Sequence, residues 1–287
     1  QWFGVFLKGT MPVEMPIKQP TTAEEVNRNK NYLREHYFDN IDLADARFWN
    51  TNYFPKMVEY HLYKQLPQIP DTVAFEASRL VSKTVKDTTS FKEMLSYILN
   101  DAMQSKYMGM ENVWAKLAED YILDKNLPWI DKDKTTQIRT LYEALKFNRI
   151  GMQATNLRLS TVEGDTINTN EVEADYTILY FFNPTCAHCL NTTTALRDNI
   201  YPRYKDRGVR IVAIDIDADT EKWKEYIKNN NISEWINCAD PNYKSAYWMY
   251  YDTSGVPMIY ILNKDKKIIA RKVDESNLEK LLGYYIK

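Results

Sequence analysis

An all-α helical domain followed by an α/β domain is the fold class this sequence predicts, with the change of grammar near residue 150. Three observations carry it. Apolar residues recur at helical spacing through residues 21–150. Short apolar strands alternate with helical stretches through 151–287. Glycine is scarce, 8 in 287 residues, as suits a helix-rich chain with few left-handed turns.

The elements follow in order. Pro12, Pro16 and Pro20 predict an extended lead-in over residues 1–20. Thr22 and Glu25 have capping-box spacing and open the first helix, and Ser90 with Glu93 open another. In the latter, Phe91, Met94, Leu95, Ile98, Leu99, Ala102 and Met103 fall on one face. Val113 to Ile122 and Ile138 to Leu145 repeat the stripe, with Pro67, Pro70 and Pro128 between helices. These helices make residues 21–150 a helical domain whose role the sequence leaves open. After Gly151 come a hairpin around Glu163-Gly164-Asp165, a strand Tyr176–Phe182, a helix from about Cys189 to Lys205, and a strand Val209–Asp217. A helix near Lys222–Asn229, a strand Glu234–Cys238 and a short helix near Lys244–Tyr250 follow. The strands Met258–Leu262 and Lys267–Val273 flank a polar turn that suits a hairpin, and Ser276 with Glu279 open a closing helix.

Composition narrows the function. Lys and Arg number 37 against 39 Asp and Glu, so no net field draws the chain to nucleic acid. No apolar run approaches the ~18 residues of a membrane span. The opening Gln1 to Leu7 is too short for a signal-peptide core and lacks a small-residue cleavage site. A chain that does not begin with Met is expected to be a processed or trimmed product. Three cysteines cannot build a disulfide framework.

Two of those cysteines form Cys186-Ala187-His188-Cys189, directly after a predicted strand and at the start of a helix. Unpaired N–H groups and the helix dipole at that junction stabilise a thiolate, the attacking species. Cys186 is therefore expected to attack a partner's disulfide and Cys189 to resolve the mixed disulfide. An imidazole inside the loop, His188, would stabilise the same thiolate and shift the couple toward the oxidising side. Half of a zinc site is the competing reading. Zinc wants four ligands, and Cys238, His36, His61 and His188 do not fall at finger spacing. No metal and no cofactor are expected. Val256-Pro257 precedes a strand, where either a cis bond or a strand-initiating trans proline fits; beside the redox loop the cis form is expected.

The order of these motifs resembles the TlpA/ResA-like branch of thioredoxin-family thiol–disulfide oxidoreductases over residues 151–287. The matching segments are Gly151 to Leu157, Tyr176 to Cys189, Val209 to Asp217, and Gly255 through Pro257 to Asp265. The resemblance implies a thioredoxin-like fold in which the Val256-Pro257 loop faces Cys186 and receives the substrate's extended segment. It also implies protein thiols or disulfides as partners, with an upstream electron donor or acceptor. The helical half, notably His36 to Leu43 and Arg47 to Thr51, is similar to an uncharacterised domain that precedes such modules in Gram-negative envelope proteins. That similarity implies a periplasmic or envelope-associated protein, with a membrane tether preceding Gln1. Three positions depart from the family pattern: Thr185 stands for its tryptophan, Tyr180 for its buried acid, and Asn168 for its hairpin glutamate. The proton acceptor for Cys189 is thus open among Glu171, Glu173, His188 and water.

Cys238, ending a predicted buried strand, is expected to act as a small hydrophobe, with a redox-partner role as the alternative. Exposed members of the stretch Tyr247 to Tyr251 could rim the substrate. The main alternative function is an adaptor whose helical domain captures a partner. Thiol peroxidase chemistry is disfavoured, because Asn183 occupies the place of the Thr or Ser three residues before the reactive cysteine.

Overall fold

The computed structural model describes residues 1–217 and 219–286. Lys287, where the expected second domain ends, lies outside the described residues. The chain forms two compact units, Gln1–Thr135 and Thr136–Lys287.

The first unit is helical: α1 (Trp2–Thr10), α2 (Ala23–His36), α3 (Tyr53–Tyr60), α4 (Pro70–Ser82), α5 (Thr88–Gln104) and α6 (Glu111–Tyr121). Helix α1 corrects the expected extended lead-in. The prolines start only at position 12, and the preceding residues have an anchor. Trp2 meets Phe48 edge-on at 5.0 Å, and Gly9 packs so closely that a Cβ there would lie 3.0 Å from Phe48. Thr22 and Glu25 form the capping box of α2. Helix α5 begins earlier than Ser90, because Asp87 caps it by accepting the Ser90 N–H at 2.8 Å; a carboxylate also complements the helix dipole. Ala74 and Ala77 of α4 and Ala115 and Ala118 of α6 are buried. Small side chains there allow the two helices to pack closely.

The second unit starts inside α7 (Lys132–Leu145), earlier than the expected boundary at 150/151. The reason is packing by the residues after α7. Phe147 meets the Tyr250 ring at 5.3 Å, Asn148 Nδ2 donates to the Tyr250 carbonyl at 3.1 Å, and Arg271 donates to Asn148 Oδ1. Then follow β1 (Arg158–Thr161), β2 (Thr166–Asn168), β3 (Tyr176–Phe182), α8 (Ala187–Ala195), α9 (Tyr201–Tyr204), β4 (Val209–Asp215), α10 (Thr220–Asn230), β5 (Ile236–Ala239), α11 (Tyr247–Tyr250), β6 (Met258–Leu262), β7 (Ile268–Arg271) and α12 (Glu275–Tyr285). The long helix expected to Lys205 runs on from α8 through a π turn at Leu196–Ile200 into α9. Pro202 lacks an N–H and its ring would meet the carbonyl four residues back, so a regular helix cannot run through it. The closing helix also begins earlier than its expected box: Asp274 caps it, accepting the Asn277 N–H at 2.9 Å.

The seven strands form one mixed sheet in the order β2-β1-β5-β4-β3-β6-β7. Central β3 runs parallel to β4, pairing Phe182 with Asp215, and antiparallel to β6, pairing Phe181 with Met258. That second register decides the site: the loop leaving β3 and the loop entering β6 emerge side by side. Alternation on β3 sends Ile178, Tyr180 and Phe182 into one core with Cys189, Leu196, Trp223, Tyr226 and Leu282. Leu179 and Phe181 enter the other, with Leu157, Tyr247, Tyr251 and Tyr260.

Candidate active site

The loop Asn183-Pro184-Thr185 joins β3 to α8. Asn183 Oδ1 accepts from the Thr185 N–H at 2.8 Å and from its hydroxyl at 2.7 Å, while the Asn183 carbonyl accepts the Cys186 N–H at 3.1 Å. These bonds end the strand and place Cys186 at the N-cap of α8, with φ −87° and ψ 117°. Cysteine there does what a capping oxygen does elsewhere: its Sγ accepts the Cys189 N–H at 3.2 Å. Any negative charge on that sulfur is met by the open end of the helix.

Cys189 lies one helical turn on, buried, whereas Cys186 is partly exposed; both are free thiols. Burial, then the hydrogen bond with Cys186, pushes the Cys189 thiol up to about 12, against a partial offset from the Asn183 backbone. The outer sulfur is thus accessible and the inner one is held protonated.

The second wall comes from the β6 loop. The Val256–Pro257 peptide is cis, and the Cys186 thiol lies 3.6 Å from the Val256 carbonyl oxygen. Beside it opens a cavity of about 340 Å³ lined by Thr192, Pro257, Asp252, Lys272, Asp274 and Glu275. Thr192 of α8 donates to Glu275 at the start of α12, which ties that rim together.

Beneath Cys189 lies a hydroxyl chain. Tyr180, fully buried, donates to the Cys189 carbonyl at 2.8 Å and lies 3.0 Å from Thr193 Oγ1. Thr193 Oγ1 lies 2.8 Å from the Tyr226 hydroxyl. The Tyr180, Phe182 and Tyr226 rings stack at 5.3 and 5.0 Å. Thr193 was findable in the sequence, four residues after Cys189 on one helix face. Tyr226 was not, since only the fold brings α10 against α8.

Among the residues the sequence pointed to, Cys186, Cys189, Val256 and Pro257 come together, and His188 sits between the cysteines, exposed. Glu171 and Glu173 do not join them. They line a depression with Asp175, Gly208 and Lys264 where β3 and β4 begin. A seven-residue strand separates that end from the cysteines by roughly 20 Å. Asn168 donates to Glu171 at 2.9 Å and belongs to that same end. Cys238 is buried in the core on the opposite sheet face from Cys189, its thiol 3.6 Å from the Ala213 carbonyl. His36 and His61 lie in the helical unit; His61 Nε2 is 2.7 Å from Glu76 and Nδ1 is 2.8 Å from Gln65. Trp248 and Met249 are the exposed members of the 247–251 stretch, while Tyr247 and Tyr251 are core.

The thioredoxin-like family matches residues 174–268. The thiol-disulfide oxidoreductase ResA of Bacillus cereus (strain ZK / E33L) is 26% identical over 149 residues, covering 50% of this chain and 84% of that protein. ResA of Bacillus anthracis is 25% identical over 149 residues. The solved structure of a thioredoxin-like protein from Bacteroides caccae ATCC 43185 matches with a TM-score of 0.63 at 23% identity, covering 96% of this chain and 99% of that one. That last likeness is one of fold, and it takes in the helical unit.

Proposed function

We propose that this chain, a thioredoxin-like thiol–disulfide oxidoreductase of the TlpA/ResA-like type, acts on protein disulfides through the dithiol of Cys186 and Cys189. The observation that carries the reading is the contrast between the two sulfurs. Cys186 is accessible, caps a helix and faces the carbonyl before cis-Pro257. Cys189 is buried one turn behind it.

In the forward direction the Cys186 thiolate attacks one sulfur of a partner disulfide. A Cys186–partner bond forms, the partner S–S bond breaks, and the electron pair leaves on the other partner sulfur, which takes a proton from water. Cys189, once deprotonated, attacks Cys186 Sγ and releases the partner as a second thiol. The protein is left with a Cys186–Cys189 disulfide, for an upstream dithiol to reduce. The Val256 backbone and the cavity beside Pro257 are where the partner's extended segment is expected to lie, because a strand-like segment needs main-chain partners next to the attacked sulfur. An exposed His188 beside the thiolate supports a tuning role.

Insulin reduction with dithiothreitol tests the reading. The unmodified chain should accelerate it, and Cys186→Ser should fall to the uncatalysed rate. Activity in Cys186→Ser and Cys189→Ser equal to that of the unmodified chain would sink the idea. The proposal extends to a location outside the cytoplasm, periplasmic or envelope-associated. Fractionation of the source cell checks it, and a cytoplasmic pool alone would refute it.

A further inference from the structure

A thiol that resolves a mixed disulfide must first lose its proton, because the thiolate is the attacking species. Cys189 is fully buried, so a side chain that takes that proton has to face it. From β3 it is faced by Tyr180, from its own helix by Cys186 and Thr193, and from α10 by Tyr226. Val256 and Pro257 bring no titratable group. The carboxylates of neighbouring elements are engaged elsewhere: Glu275 by Thr192, Asp252 by Lys272, Asp274 as the cap of α12, and Asp215 by the Asp217 N–H. Glu171 and Glu173 lie at the other end of the sheet, and His188 is exposed while Cys189 is buried behind it.

The hydroxyl chain has a fixed direction. Tyr180 has one proton and gives it to the Cys189 carbonyl, so it accepts from Thr193. Thr193 has then spent its own proton and accepts from Tyr226. Every proton is committed, and the chain ends on the Cys189 peptide rather than on a base. Burial pushes both phenols above their ordinary value, so neither serves as a base near neutrality.

We propose that Tyr180 is a positioning residue for the resolving thiol: it fixes the turn carrying Cys189 and leaves that thiol without an internal base among the described residues, so that solvent hydroxide opens the resolving step. The inference rests on the dithiol reading above. Hydroxide takes the Cys189 proton as water. The thiolate then forms the Cys186–Cys189 bond, and the bond from Cys186 to the partner breaks with its electron pair on the partner sulfur. At neutral pH the Cys186 mixed disulfide outlives its formation.

Reaction of the reduced full chain with 5,5′-dithiobis(2-nitrobenzoate), followed by stopped-flow absorbance, separates the two steps. Capture by Cys186 releases one thionitrobenzoate, and resolution by Cys189 releases a second. Between pH 6 and 9 the second phase should rise about tenfold per pH unit without a plateau, as for a thiol titrating well above that range. Tyr180→Phe should slow the second phase severalfold at every pH with the same slope. Tyr180→Glu, which places a carboxylate beneath Cys189, should add an inflection. A second phase flat with pH in the unmodified chain, or unchanged in rate by Tyr180→Phe, overturns the inference. Loss of the second phase alone in Cys189→Ser upholds the underlying reading in either case, whereas a first phase unaffected by Cys186→Ser sinks that reading instead.

Discussion

The sulfur proposed to attack, Cys186, occupies an N-cap position where a helix ordinarily takes Ser, Thr, Asp or Asn. A sulfur that accepts the Cys189 N–H ties the two cysteines together before any disulfide exists. In the proposed reading the imidazole of its exposed neighbour His188 would stabilise a thiolate at Cys186, which favours the reduced form and makes the couple more oxidising. His188→Ala should therefore make the couple more reducing, by roughly 10–30 mV, read against glutathione redox buffers. An unchanged or raised potential would remove His188 from the site. That Cys186, Cys189 and Pro257 lie together was legible because their signals are local: a two-residue spacer after an apolar strand, and a proline before another. Tyr180 was legible only as a departure from a pattern, since its hydroxyl acquires meaning from Thr193 of α8 and Tyr226 of α10. Glu171 and Glu173 misled as candidate bases although the strand Tyr176–Phe182, which follows them and precedes Cys186, already set them at the opposite end.

At the scale of elements, aspartate set several helix starts that Ser–Glu spacing had suggested elsewhere. Asp87 and Asp274 cap α5 and α12, ahead of the Ser90 and Ser276 boxes. A carboxylate cap adds charge to the hydrogen bond, and the chain takes the stronger acceptor. Asp274 matters beyond its own helix, because the turn it fixes holds Glu275 against Thr192 of α8. Asp274→Ala should cost about 1 kcal/mol, as other lost N-caps do, visible as a lower urea midpoint with an unchanged slope. Asp274→Asn, which keeps the acceptor, should recover most of it. The π turn before Pro202 follows the same logic of local chemistry overriding periodicity. The apolar stripe continues through 196–204, but the missing N–H does not allow a regular helix.

At the scale of the molecule, buried and half-buried carboxyls set opposite pH responses. In the helical unit burial opposes ionisation of Glu76, but hydrogen bonds from Arg79 and His61 overcome it and hold the carboxyl at about 2. In the second unit Asp252 is held at about 2 in the same way, with Lys272 and Ser254 outweighing burial. Both are depressed, so their stabilisation is present above about 4 and lost as pH falls toward 2. Asp215 runs the other way: burial, with Asp217 and Asp219 nearby, raises it to about 7. The folded state binds its proton more tightly than the unfolded state, so stability declines as pH rises from about 4 to 7. Asp215→Asn should raise the denaturation midpoint at pH 5 and raise it further at pH 8; an equal effect at both would refute the assignment. By itself the sequence determined the helical half, the alternating half, the strand–loop–helix setting of the two cysteines and the proline that precedes a strand, because periodicity, caps and spacers act over a few residues. Only the tertiary structure decided that the second unit begins inside α7, that residues 2–10 are helical against Phe48, and that Tyr180 reaches Cys189 while Glu171 and Glu173 do not. Those outcomes depend on which faces meet and in which register, and such contacts join residues that are far apart along the chain.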